Sequence, residues 1–223
     1  MAATPVDAEA WKTAVSQPRT ESVLSWDDYF MSIAFLTAMR SKDPTTQVGA
    51  CIVNEFDHII GIGYNGFPRG ISDSRLPWAK SSPDGDELAT KYPYVVHAEL
   101  NAVMNKNSES CHGSRIYSTL FPCNECAKVI VQAGIRKVIY ASDKHRQRAS
   151  SRASRHLLSL AGVEMVQHQP HFGNLNIALR YPEDEPNPEP NNTPGSNHAP
   201  EMAYCPQCAG PSPTALRARE EAQ

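Results

Sequence analysis

The chain has 223 residues, enough for one ordinary domain with tails, and its 40% hydrophobic content is enough to build a core. With 21 Lys and Arg against 24 Asp and Glu, a formal charge of −3 provides no global basic field and disfavours a nucleic-acid partner. No segment reaches the length of a membrane span and no secretory signal opens the chain, so a cytoplasmic or nuclear protein is expected, with its six cysteines as thiols or metal ligands.

In chain order, residues 1–22 show no sustained apolar period and are expected to be disordered. Ser25 with Asp28 makes a capping-box-like start, after which Trp26, Tyr29, Phe30, Ile33 and Thr37 predict a helix to about Arg40. "VGACIV" (Val48–Val53) and "HIIGIGY" (His58–Tyr64) read as strands joined by the polar turn "NEFD". A long irregular stretch rich in Pro and Asp leads to a helix from about His97 to Asn105. Then come a strand "RIYST", a helix from Cys123 to Gln132 closed by Gly134, and a strand "KVIYAS". A helix around Ser151–Leu160 closed by Gly162 and a strand "EMVQ" complete the folded part. Residues 23–175 thus form one domain, and an antiparallel pair followed by alternating strands and helices predicts a three-layer α/β/α architecture on a mixed five-stranded sheet. Residues 176–223 are expected to be a disordered tail, since Pro182–Gln223 alone hold nine of the 18 prolines.

"GIGYNG" (Gly61–Gly66) has the spacing of a dinucleotide-binding loop. That motif must open a helix directly after its strand, whereas here Pro68 follows and "FPRGISDSRLPW" has no helical period. The glycines read instead as a strand end and tight turn.

Chemistry concentrates in "HAE" (His97–Glu99) and "PCNEC" (Pro122–Cys126), which together match the H-x-E…P-C-x-x-C pattern of zinc deaminases. Cys123 and Cys126 fall on one helical face, and the helix start favours their thiolate forms. With His97 they give three ligands, and a zinc site with three protein ligands keeps a position for water. Glu99 is the expected proton carrier. Positions two apart diverge by about 200° on a helix, so His97 must lie within the first turn if Glu99 is to share its site.

Through "WDDYFM", "RSKDPTTQVGACIVN", "GIGYNGFP", "KYPYVVHAELNAVMNKN", "TLFPCNECAKVIVQAGI" and "VIYASDK", the chain from about Trp26 to Phe172 resembles the deoxycytidylate (dCMP) deaminases, within the cytidine deaminase-like fold. The resemblance implies hydrolysis of dCMP to dUMP and ammonia, supplying thymidylate synthesis. It further implies a homohexamer activated by dCTP with Mg²⁺ and inhibited by dTTP. Carried over by residue, His97, Cys123 and Cys126 hold Zn²⁺ and Glu99 shuttles protons. Ala98 contacts the pyrimidine through its backbone, Asn54 contacts the sugar, and Gly63, Tyr64, Asn65 and Gly66 belong to a regulatory nucleotide site. Asn54 equally suits an ordinary hairpin turn.

A nucleotide phosphate needs cationic or N–H partners, and Arg40, Lys42 and Lys144 stand near element ends where they could serve. After "SDK" the chain departs from the family pattern, with His145 and the basic run "RQRASSRASR". The "CPQC" of the tail (Cys205, Cys208) lies outside the resemblance and makes at most half a zinc site. Two alternatives stand beside this reading: a deaminase of cytosine or adenosine in nucleic acid, and a non-catalytic zinc module.

Overall fold

The computed structural model describes residues 23–177. The expected disordered segment 1–22 and the Cys205–Cys208 pair lie outside the described residues, as does the tail beyond Ile177. The order of elements is α1 (Trp26–Ala38), β1 (Gly49–Val53), β2 (Ile59–Tyr64), α2 (Ala98–Met104), β3 (Arg115–Leu120), α3 (Asn124–Gln132), β4 (Lys137–Ser142), α4 (Ala149–Leu160) and β5 (Glu164–Gln167). All nine were legible in the sequence. A short 3-10 turn at Glu87–Ala89, inside the irregular stretch, was not.

The five strands form one mixed sheet in the order β2-β1-β3-β4-β5. β1 runs antiparallel to both β2 and β3, while β3–β4 and β4–β5 are parallel. The two parallel pairs are joined through α3 and α4, as a strand needs a crossover to return in the same direction. Every residue of β1 is buried, because both faces of this central strand are covered. Cys51 and Val53 meet Phe30, Met31 and Ala34 of α1. Ala50 and Ile52 belong instead to the cluster holding Ala98 and Ala102 of α2, Ala127 and Ile130 of α3 and Leu158 of α4. One helix on one face and three on the other give the three layers.

Small residues set how closely the helices approach. A Cβ on Gly63 would meet Ala102 N at 2.2 Å and Ala98 O at 2.3 Å, so α2 lies directly on β2. Gly61 is crowded in the same way by Ala102 O at 2.5 Å. This is the physical use of the glycines in "GIGYNG": they admit a helix backbone, and no helix begins after them. Ser25 caps α1, with its hydroxyl accepting from Asp28 N at 3.1 Å. Gly134 ends α3 at φ 78°, where its missing Cβ removes the usual penalty. No helix among the described residues is long and apolar enough to cross a membrane.

Candidate active site and metal centre

His97 is the N-cap of α2, on extended backbone at φ −76° and ψ 157°. The residue before it is tied down, since Gly66 and Val96 exchange two backbone hydrogen bonds of 3.1 and 2.8 Å. His97 therefore stands one residue before the helix, and the 200° divergence of a regular helix does not separate it from Glu99. Cys123 is likewise the N-cap of α3, with Cys126 one turn inside. Two helix starts thus meet. His97 Nδ1 lies 3.3 Å from Cys123 Sγ and 3.3 Å from Cys126 Sγ.

The three donor atoms all lie within 4.8 Å of one another, the one such group of metal-ligating side chains among the described residues. Tetrahedral zinc with ordinary Zn–N and Zn–S bonds separates its nitrogen and sulfur ligands by about 3.6 Å. One imidazole and two thiols at 3.3 Å fit that donor set closely.

The three donors perturb one another's protonation, and one of them, Cys123, is held toward the thiolate. The Cys126 thiol, hydrogen-bonded to Cys123, brings the Cys123 thiol down to about 4, with His97 assisting against burial. The same Cys123 contact pushes His97 up to about 9, against burial. Cys126 is raised well above the ordinary thiol range by its bond to Cys123 and by burial. Glu99, 4% exposed, accepts from Ser118 Oγ at 3.3 Å and from Cys126 Sγ at 3.3 Å through its two oxygens. Burial is the largest influence on its carboxyl and pushes it up. A buried acid poised above its ordinary range is suited to carry a proton.

His97, Glu99 and Cys123 open into a cavity of about 390 Å³. Its opposite wall comes from the residues after α1 and the long β2–α2 connection. There Asp43 is 1% exposed and holds Lys91 in a buried ion pair. Lys91 Nζ also donates to Thr45 Oγ1 at 2.7 Å, and Asp43 Oδ1 accepts from Thr45 N at 2.8 Å and Thr46 N at 3.1 Å. Asn65 locks this wall to β1: its amide nitrogen donates to Thr46 O at 3.0 Å, and its oxygen accepts from Val48 N at 2.8 Å. A third wall is cationic and carries Lys144, His145 and Arg148 from the β4–α4 connection, with Lys80 also lining the cavity.

The expected site residues separate into two groups. His97, Glu99, Cys123, Cys126, Asn65 and Lys144 come together at the cluster and its cavity. Ala98 is fully buried as the first residue of α2. Asn54 does not line the cavity: its side-chain oxygen accepts from Phe56 N at 3.0 Å and His58 N at 2.9 Å, closing the β1–β2 turn. Arg40 is exposed and Lys42 pairs with Asp73 on the surface, so neither reaches the cavity. In "GYNG", only Asn65 faces the cavity. Gly63 seats α2, Gly66 bridges Val96, and Tyr64 O accepts from Asn101 Nδ2 at 2.7 Å.

Lys80, Lys91, Arg148, Ser150 and Ser151 line the cavity without having been singled out in the sequence. Lys80 and Lys91 lie in the irregular stretch, where no period announces a direction. Arg148, Ser150 and Ser151 belong to the basic Ser-rich run, whose charge was visible although its position was not.

Comparison with known proteins follows the same geometry. Residues 24–142 match the family model for the cytidine and deoxycytidylate deaminase zinc-binding region. A deoxycytidylate deaminase of Mus musculus is 49% identical over 176 residues, covering 79% of this chain and 98% of its own length. The Homo sapiens deoxycytidylate deaminase is 56% identical over 163 residues, covering 73% of this chain and 90% of its own. Among solved structures, the dCMP deaminase of cyanophage S-TIM5 in complex with dCMP and dUMP superposes with a TM-score of 0.51 at 32% identity, covering 63% of this chain and 94% of that one.

Proposed function

The chain belongs to the cytidine and deoxycytidylate deaminase family, and from that premise we propose that it converts dCMP to dUMP and ammonia by zinc-dependent hydrolysis. The observation that carries this reading is Glu99, a buried acid in contact with Cys126 and open to the same cavity as His97 and Cys123. His97, Cys123 and Cys126 would hold the zinc ion, which supplies a water made acidic enough to lose its proton near pH 7. Glu99 would carry one proton from that water to the ring nitrogen, and the second, from the hydroxyl then borne by C4, to the departing amine. In the net reaction the water oxygen bonds to C4, the C4–N bond breaks, and nitrogen leaves as ammonia. Ser118, at 3.3 Å, holds one Glu99 oxygen while the other faces Cys126.

Supply of dUMP to thymidylate synthesis belongs to the same reading, as do activation by dCTP with Mg²⁺ and inhibition by dTTP. Tyr64, 38% exposed beside Asn65, is the part of Gly63–Gly66 open to an effector. Self-association, as a homohexamer on this reading, fits the apolar residues left at the surface at the end of α1, where Phe35, Leu36 and the C-cap Met39 are 52%, 49% and 77% exposed. Sedimentation of the purified chain reads the assembly size directly.

Ammonia release decides the substrate. With zinc-loaded protein, turnover of dCMP above CMP, dCTP and deoxycytidine is expected, and each is measured with dCTP plus Mg²⁺ or with dTTP. Preference for cytosine within an oligonucleotide over free dCMP would transfer the reading to a nucleic-acid deaminase. Zinc bound with no turnover of any of these would leave the non-catalytic module.

A further inference from the structure

Phe121 stands two residues before Cys123, is 6% exposed and lines the cavity. Its ring is held from two sides. Tyr140 of β4 meets it edge-on with ring centroids 4.8 Å apart, and the Arg155 guanidinium of α4 lies 4.0 Å from its centre. The Phe121 backbone is fixed separately, since its N–H donates to Ser142 O at 2.8 Å. The metal-side wall therefore has its own support in the sheet.

The β4–α4 connection, residues 143–148, has no such support. It borders the cavity through Lys144, His145 and Arg148, yet its backbone hydrogen bonds among the described residues stay local. Arg146 N donates to Asp143 O at 3.0 Å, Arg148 N to His145 O at 2.9 Å and Lys144 N to Ser142 Oγ at 3.4 Å, while Arg148 O accepts from Arg152 N in the first turn of α4. Only the Asp143 side chain ties the connection deeper into the fold, through its ion pair with Arg155 in the second turn of that helix. The two side chains are 12% and 27% exposed, and Asp143 Oδ1 and Arg155 Nε are buried with no other partner among the described residues. Each charge thus depends on the other.

We propose that Arg155 is a positioning residue for the reaction: one guanidinium holds Phe121 and Asp143 together, and so fixes the cationic connection at a set distance from the metal-side wall. Arg155 does not itself line the cavity, so it acts through these two neighbours. The proposal rests on the deaminase reading and adds to it the residue that sets the width of the cavity.

The test uses the full zinc-loaded chain with dCMP. Arg155→Met removes the charge at similar length, and Asp143→Asn removes that of its partner. In each variant KM rises roughly 10-fold, the worth of one charge-assisted hydrogen bond, while kcat and zinc content stay at wild-type values. The double variant is no worse than the harsher single one, because both substitutions break the same contact. Arg155→Lys recovers part of the KM, as an ammonium reaches Asp143 but cannot also lie flat on Phe121. Ser154→Ala, next to Arg155, removes a buried hydroxyl that has no partner among the described residues and leaves KM unchanged. Hydrogen exchange gives a readout without turnover: amides of residues 143–148 exchange faster in Arg155→Met and Asp143→Asn, and those of α3 at the wild-type rate. Should Arg155→Met fail to fold, Asp143→Asn, which keeps the shape of its side chain, carries the test. Additive losses, a fall in kcat with loss of zinc, an equal rise of KM in Ser154→Ala, or unchanged KM and exchange overturn the clamp. Wild-type protein that releases no ammonia from dCMP overturns the reading beneath it, and the exchange measurement still decides the clamp.

Discussion

Glu99 and Lys91 illustrate two opposite uses of a buried charge. Glu99 is raised by burial and bonded to only two side chains, which leaves it free to exchange protons. Glu99→Gln is expected to lower turnover of dCMP by at least about 100-fold, the usual worth of a general acid–base, while zinc content by elemental analysis stays at the wild-type level. Lys91 is fastened to Asp43 and Thr45, with 7% and 2% of the two charged side chains exposed, and builds a wall. Lys91→Ala strands the Asp43 carboxylate and should cost about 3–5 kcal/mol in denaturant unfolding. The grouping of His97, Cys123 and Cys126 with Glu99 was legible because their spacing is local to two helix starts. An Asn at a strand end serves a sugar or its own turn equally well in sequence, and here the Asn54 side chain bonds to Phe56 and His58 in the turn.

At the scale of elements, the position of His97 depends on how closely α2 sits against β2. Gly63→Ala places a methyl within 2.3 Å of two backbone atoms of that helix, so the helix must retreat and carry His97 and Glu99 with it. A loss of roughly 1–3 kcal/mol or more is expected, together with weaker zinc retention during dialysis against a chelator. Restored activity in the variant with normal zinc retention would show that α2 accommodates the methyl. The start of α4 was read at Ser151 and stands at Ala149, two residues earlier. The discrepancy has a cause: Arg148 at the N-cap has none of the short side chains that announce a helix start. That absence also leaves the turn open toward the cavity.

Across the whole molecule, Asp28 joins the first helix to the segment after the last strand. It is buried, yet hydrogen bonds from Ser25 and His171 and the nearby His168 outweigh burial and hold its carboxyl below the usual range. A lowered folded pKa stabilises above the ordinary value near 3.8 and loses that contribution as pH falls through the folded value. Unfolding curves from pH 7 to pH 3 should therefore show wild type above Asp28→Asn at neutral pH, with the gap closing below about pH 4. A gap independent of pH would mean that shape, not charge, is what Asp28 contributes.

Sequence by itself determined the nine elements and the residues of the candidate metal cluster with the acid beside them, because periodicity, caps and i, i+3 spacing act over a few residues. Tertiary structure alone decided what lies opposite the metal cluster. Lys91 meets Asp43 across 48 positions and Asn65 reaches Thr46 across 19, and no local pattern records such contacts. Long-range packing also chose which charges border the cavity: Lys42 turned to Asp73 on the surface, while Lys144 and Arg148, though exposed, line the cavity from the loop that Arg155 anchors. A charge is visible in sequence, but the direction it faces depends on the elements folded around it.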